Sequence, residues 1–313
     1  MNSPTALNYE IRPCKFVERK MLLASFSRII SRFKLSYQYI GFGGLSFTDF
    51  KLFHKELNIN SMFSIEGGDY SIQKLNLNIP FSCISILHGM STQELQSIDL
   101  KKPSIIWLDY DDTLSMTIFQ DINIVFNSIL PGSMFLISCN RQLRNESATP
   151  KHPYSPDELR DLFGDIVPFN VESDCCSDDK VSTTIREMLL YSCNKIIAER
   201  NKHEESIKFV PLYNIKYSEY RGARMYTFGG IILKSDYDET SLNIDDLDFI
   251  RSEEPFEIKV PNLTYRERLY INQIIGDTQK EEEAIRDSII TKEDLDDYKK
   301  SYKYIPNFYD VRL

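Results

Sequence analysis

Between residues 35 and 138, short apolar runs alternate with segments of helical period. Leu35–Ile40 stops at Gly41, Ser61–Ile65 at Glu66, Phe81–Leu87 at His88-Gly89, and Ser104–Leu108 at Asp109, while Ser133–Ser138 follows the Pro131-Gly132 break. Continuous apolar runs of this length, bounded by turn residues, have the pattern of strands buried on both faces. The segments between them include Phe47–Leu57, with Phe50, Phe53 and Leu57 on one face, and Ser115–Leu130. Strands alternating with helices require a parallel sheet with helices on both sides, a doubly wound α/β fold. A basic, apolar helix over 16–33 precedes the alternation, with Val17, Met21, Leu22, Phe26 and Ile29 at helical spacing.

The pattern changes after residue 140. Arg141–Tyr154 reads as a loop, and Pro156–Phe163 as a short helix capped by Ser155. Glu172–Asp179 is polar and reads as exposed, and Thr184–Ile197 is helical. Ile207–Ile215 and Met225–Leu233 alternate like two strands around a turn containing Arg221-Gly222, which gives an antiparallel hairpin at the end of the sheet. Asp236–Asp248 reads as an acidic linker. Thr264–Ile275 opens with Thr and a Glu three residues later, the pattern of a capping box. The last forty residues are charged and helical and end in Tyr302, Tyr304, Phe308 and Tyr309. The expected organisation is a basic helical segment over 1–34, an α/β domain over 35–234, and an acidic, mainly helical extension over 235–313.

Charge separates along the same boundaries. The chain carries 37 basic and 46 acidic residues, a net −9, and all of the excess lies beyond residue 234. An acidic total argues against tight non-specific binding to nucleic acid, which depends on neutralising phosphates, and leaves room for a local basic patch. The acidic extension is either a solubilising surface or a docking surface for a protein partner. No apolar stretch approaches the ~18 residues of a membrane span, and Met1–Glu10 lacks the pattern of a secretory signal. Six scattered cysteines fit reduced thiols in a cytoplasm.

Three places could carry chemistry. Tyr39-Ile-Gly-Phe-Gly-Gly-Leu-Ser46 puts Gly41, Phe42, Gly43 and Gly44 at a strand-to-helix turn, where glycine lets backbone approach a ligand. Glu66 ends the next strand, 22 residues after Gly44, where an acid can accept both hydroxyls of a ribose. A bare glycine turn with no cofactor is the competing reading. Asp109-Tyr-Asp-Asp-Thr113 follows a hydrophobic strand and resembles the D-x-D-x-T motif of haloacid-dehalogenase-type phosphatases. That resemblance implies Asp109 as nucleophile and Asp111 as general acid beside Mg²⁺. Helix-capping carboxylates are the alternative. Arg12, Lys15, Arg19 and Lys20 cluster at the start of the first helix, either to grip a phosphate or carboxylate or as a solvated helix start. His54, His88, His152 and His203 show no metal spacing with cysteine, so no metal site is expected. Cys175-Cys176 in a polar stretch are open to oxidants or incidental.

The order of these features resembles class I S-adenosylmethionine-dependent methyltransferases, and in particular a bacterial O-methyltransferase group. The matching stretches are 9–21, Tyr39-Ile-Gly-Phe-Gly-Gly44 with Phe47-Thr-Asp-Phe50, Met62-Phe-Ser-Ile-Glu66, Ile106-Trp-Leu-Asp-Tyr-Asp111 and Val260-Pro-Asn-Leu-Thr-Tyr-Arg-Glu267. The resemblance implies a Rossmann-like sheet, S-adenosylmethionine as cofactor, and a small-molecule or protein substrate methylated on a hydroxyl or carboxyl. It implies that Gly41, Gly43 and Gly44 pass under the methionine part of the cofactor and that Glu66, beside Gly67, holds the ribose. His88 and Gly89 would flank the adenine. Asp109 would lie where substrate and cofactor meet, with Asp109 or Asp111 as general base. Two departures stand out: Tyr39 replaces the acid that normally precedes the first glycine by two residues, and the proline-aromatic box after strand four is missing. The second argues against methylation of base amino groups. A methyltransferase fold that binds a partner without methylating, for example in a bacterial defence assembly, is the reading from another class.

Overall fold

The computed structural model describes residues 12–203, 206–219, 223–251 and 253–305. Eight strands form one sheet: β1 (Gln38–Gly41), β2 (Met62–Ile65), β3 (Ile84–Leu87), β4 (Ser104–Thr113), β5 (Met134–Asn140), β6 (Ile207–Ser218), β7 (Arg224–Lys234) and β8 (Phe256–Ile258). Their order across the sheet is β8-β6-β7-β5-β4-β1-β2-β3. β1 to β5 are mutually parallel, and β7 lies antiparallel between β5 and β6. This is a Rossmann-like, mostly parallel sheet with a late antiparallel hairpin, as the alternation predicts.

Side chains of the central strands go alternately to two cores. Tyr39, Ile105, Trp107, Met134 and Leu136 pack on one face against α1 (Pro13–Phe33) and α2 (Thr48–Leu57). Ile40, Ile106, Leu108, Phe135 and Ile137 pack on the other against α4 (Met116–Phe126) and α6 (Val181–Asn201), with α3 (Ile72–Asn78) following β2. Each strand is buried on both sides, which is why its sequence is an unbroken apolar run. α5 (Pro156–Phe163) is capped by Ser155 as expected, and Glu158 completes a capping box there. α7 (Tyr265–Ile274), α8 (Thr278–Arg286) and α9 (Lys292–Ser301) enclose a small core of Ile271, Ile274, Ala284, Ile290, Leu295 and Tyr298. The capping box at Thr264 and Glu267 opens α7.

Several sequence expectations are corrected. β4 does not stop at Leu108 but runs on to Thr113, with an irregular register after Asp109. Asp109, Asp111 and Asp112 therefore sit on a strand extension, and cap no helix. The loop 141–154 contains a two-residue ladder between Arg144–Asn145 and His152–Pro153. The acidic segment 236–248 buries Leu242, Ile244 and Leu247 in the α1 core, and Phe256–Ile258 then adds a parallel edge strand to β6. Cys175 and Cys176 are buried, and burial pushes the Cys176 thiol well above its ordinary range. The start of α1 is not solvated, because Lys15, Glu18 and Arg19 are all buried. Arg221, Gly222, Phe308 and Tyr309 lie outside the described residues. Among the described residues, no helix is long and apolar enough to cross a membrane.

Candidate active site

The carboxyl ends of β1, β2 and β4 open into one cavity of about 530 Å³. Phe42, Gly43, Gly44, Glu66, Gly67, Asp109, Asp111 and Arg19 line it. The parallel register explains the convergence. Gly41 pairs with Ser64 of β2 and Trp107 of β4, so the ends of β1 and β2 and the start of the β4 extension lie at one level. Ligand sites of doubly wound sheets form at this edge.

The glycine loop and Glu66 are built onto each other. Glu66 Oε1 accepts hydrogen bonds from the amides of Gly43 (2.9 Å) and Gly44 (3.0 Å) and from the hydroxyl of Ser64 (2.5 Å). All three bonds end on Oε1. Burial raises the affinity of Glu66 for its proton, and these hydrogen bonds oppose the rise. A Cβ on Gly43 would stand 2.5 Å from Ser64 Oγ and 2.6 Å from the Phe47 ring. Gly44 has φ of +55°, the left-handed region that suits glycine. Tyr39 lies beneath the loop in the core, with its ring edge-on to Phe50 (4.8 Å) and Phe53 (5.0 Å). It fills the place of the expected acid with apolar bulk, and burial pushes its phenol well up.

The helix-start cations are spent inside the protein. Lys15 Nζ lies 2.7 Å from Asp109 Oδ1 and 2.9 Å from Glu18 Oε2, and 4.3 Å from the centre of the Trp107 ring. Thr227 donates its hydroxyl to Glu18, Thr227 and Ser138 share a 2.7 Å hydrogen bond, and Trp107 Nε1 donates to Ser138 (2.8 Å). Burial raises the proton affinity of Glu18, and the Lys15 ammonium opposes that rise. Arg19 is ion-paired with Asp49 at the start of α2. Arg12 is 3.9 Å from Glu219, whose carboxylate also accepts the Lys15 amide. Lys15 thus holds one carboxylate of the cavity, while Asp111 and Asp112 are exposed at its mouth.

His88 and Gly89 follow β3 but do not line the cavity. His88 Nε2 lies 3.2 Å from the Tyr70 carbonyl oxygen. The adjacent Met90 and Ser91 take the lining position, with Tyr70 and Tyr110. Sequence reasoning missed these residues and Asp49. It also missed Asp121 of α4, a fully buried carboxylate whose Oδ2 accepts hydrogen bonds from both Ser91 and Tyr110. The only available signal was an acid on the apolar side of a helix, next to Ile118 and Ile122. Among the described residues, no group of three or more His, Cys, Asp or Glu is placed to hold a metal ion.

No curated protein matches the chain in sequence. Solved structures with a similar course include a protein from Klebsiella pneumoniae described as a "putative O-methyltransferase", 14% identical, covering 68% of this chain and 80% of that one, TM-score 0.37. Cofactor-bound Rv0187 from MTB is 9% identical, with 68% and 79% covered and TM-score 0.35. Human N-acetylserotonin methyltransferase in complex with SAM is 10% identical, with 70% and 55% covered and TM-score 0.36. A family model described as "Putative O-methyltransferase" matches residues 7–313, and the chain belongs to that family.

Proposed function

We propose that the protein is an S-adenosylmethionine-dependent methyltransferase acting on a hydroxyl or carboxyl group. The observation that carries the reading is Glu66 anchored on the amides of Gly43 and Gly44 at the edge of a 530 Å³ cavity. That volume lies within the range that encloses a small molecule. A buried carboxylate beside a glycine loop suits a nucleoside's ribose hydroxyls. Gly43 and Gly44 would hold the methionine part of the cofactor, with Gly41 forming the strand end beneath them. Glu66 and Gly67 would hold the ribose, and the segment after His88-Gly89 would flank the base. When bound, the cofactor supplies an electrophilic methyl group on sulfur.

This chain's own residues would then position the acceptor and take its proton. Asp109 is held by the Lys15 ammonium, so it serves as a fixed acceptor that orients the substrate hydroxyl. Asp111, exposed at the mouth, is better placed to take the proton and release it to water. Lys15 acts through Asp109, and Arg19 through Asp49, so both are positioning residues.

Calorimetric titration with S-adenosylmethionine and S-adenosylhomocysteine tests the reading. Micromolar binding that is lost in Glu66→Ala is expected. Absence of binding to both ligands would remove the proposal and favour the partner-binding alternative.

A further inference from the structure

At one wall of the cavity, two hydroxyls point their protons at a single buried oxygen. Ser91, just after β3, and Tyr110, on the β4 extension, both donate to Asp121 Oδ2. Asp121 is fully buried on α4, and its Oδ1 has no hydrogen-bond partner among the described residues. Ser91 and Tyr110 line the cavity, and Asp121 stands behind them. A hydroxyl has one proton and two lone pairs. Once the proton is committed to a buried carboxylate, the hydroxyl can meet a ligand only as an acceptor. The wall is therefore acceptor-only, although its residue types could have donated.

Next to these hydroxyls the cavity wall is apolar and aromatic. Phe42 and Tyr110 stand edge to face at 5.1 Å, and Met90 lines the same side with a polarisable thioether. A planar heteroaromatic group with an exocyclic amine at its edge satisfies both features. A ring carrying a carbonyl at that edge would set two acceptors against each other and leave both unpaired, which is the costly case.

We propose that Asp121 is a specificity-determining residue: by orienting the Ser91 and Tyr110 hydroxyls as acceptors, it makes the site select a 6-amino purine over a 6-oxo purine. The inference rests on the cofactor reading above and adds to it the residue that sets base choice. Asp121 does not line the cavity, so it is a positioning residue that acts through the two hydroxyls.

The test compares S-adenosylhomocysteine with S-inosylhomocysteine, its 6-oxo counterpart, by calorimetry on the full-length protein. Wild type should bind the adenosyl compound at least about tenfold more tightly, the discrimination of roughly one well-made hydrogen bond. In Asp121→Asn the amide can donate to the hydroxyls and free their protons, so the ratio should fall to about threefold or less. A merely structural loss would weaken both ligands and leave the ratio unchanged. Tyr110→Phe, which removes one acceptor and keeps the ring, should also lower the ratio and serves if Asp121→Asn does not fold. Equal binding of the two ligands by wild type, or an unchanged ratio in these variants, overturns the inference. Binding of neither ligand by wild type overturns the cofactor reading itself, a different result from binding without discrimination.

Discussion

Individual residues in this protein are fixed by close approach more than by charge count. Gly43 has no room for a side chain, since a Cβ would meet Ser64 and Phe47. Gly43→Ala should cost about 1–3 kcal/mol of stability by overpacking and should abolish cofactor binding. Denaturant unfolding and calorimetry on one preparation would check both. Lys15 is 1% exposed and lies between two carboxylates. Lys15→Met should destabilise by about 3–5 kcal/mol, because Glu18 and Asp109 lose their common cation. Lys15→Met with Glu18→Gln should recover part of that loss. The pH dependence has a definite sign. Glu18 binds its proton more tightly in the folded chain than in the unfolded one. Its contribution is therefore complete below the ordinary glutamate value of 4.5 and fades as pH rises through the higher folded value. Without Lys15 the folded value climbs further, so Lys15→Met should lose more stability than wild type as pH rises above the ordinary glutamate value of 4.5. Urea midpoints measured across that range would show it.

At the scale of elements, sequence pattern and structure agree where one periodicity dominates. β1 to β5 could be read because each is apolar on both faces, and α5 and α7 because their caps are local three-residue signals. Thr264→Ala should cost about 1 kcal/mol and speed amide exchange over 265–274 first, since the cap satisfies only that helix's leading amides. β8 was illegible because it has only three residues, Phe256, Glu257 and Ile258, and pairs through its backbone to β6. The burial of 236–248 was hidden because its apolar residues are scattered among aspartates, so local composition outweighed Leu242, Ile244 and Leu247. The same limit applies to the site. The glycine turn and Glu66 follow strand ends, and Asp109 ends the apolar run of β4, so all three are visible in the sequence. The pairing of Lys15 with Asp109 spans 94 positions, and the link from Asp121 to Ser91 spans 30, distances over which no period operates.

For the whole molecule, ligand binding and stability are linked. At a free S-adenosylhomocysteine concentration of 100 times its Kd, wild type should gain about 2.7 kcal/mol of stability. Thermal unfolding should show this as a rise of several degrees that is absent in Glu66→Ala. The acidic excess beyond residue 234 is carried by two parts: a stretch that buries Leu242, Ile244, Leu247 and Ile258 in the main core, and α7 to α9, which enclose a core of their own. The position of α1 has a consequence in time. Its apolar face, with Val17, Met21, Phe26 and Ile29, packs where Leu212, Tyr213 and Ile215 of β6 arrive, and Glu18 meets Thr227 of β7. Roughly two hundred residues are translated between these partners, which at ~5–20 residues per second takes about 10–40 s. Throughout that interval α1 can rest only on β1 and α2, through contacts such as Phe26 against Phe53, and the part of its apolar face that β6 covers stays open, so this helix completes its packing late.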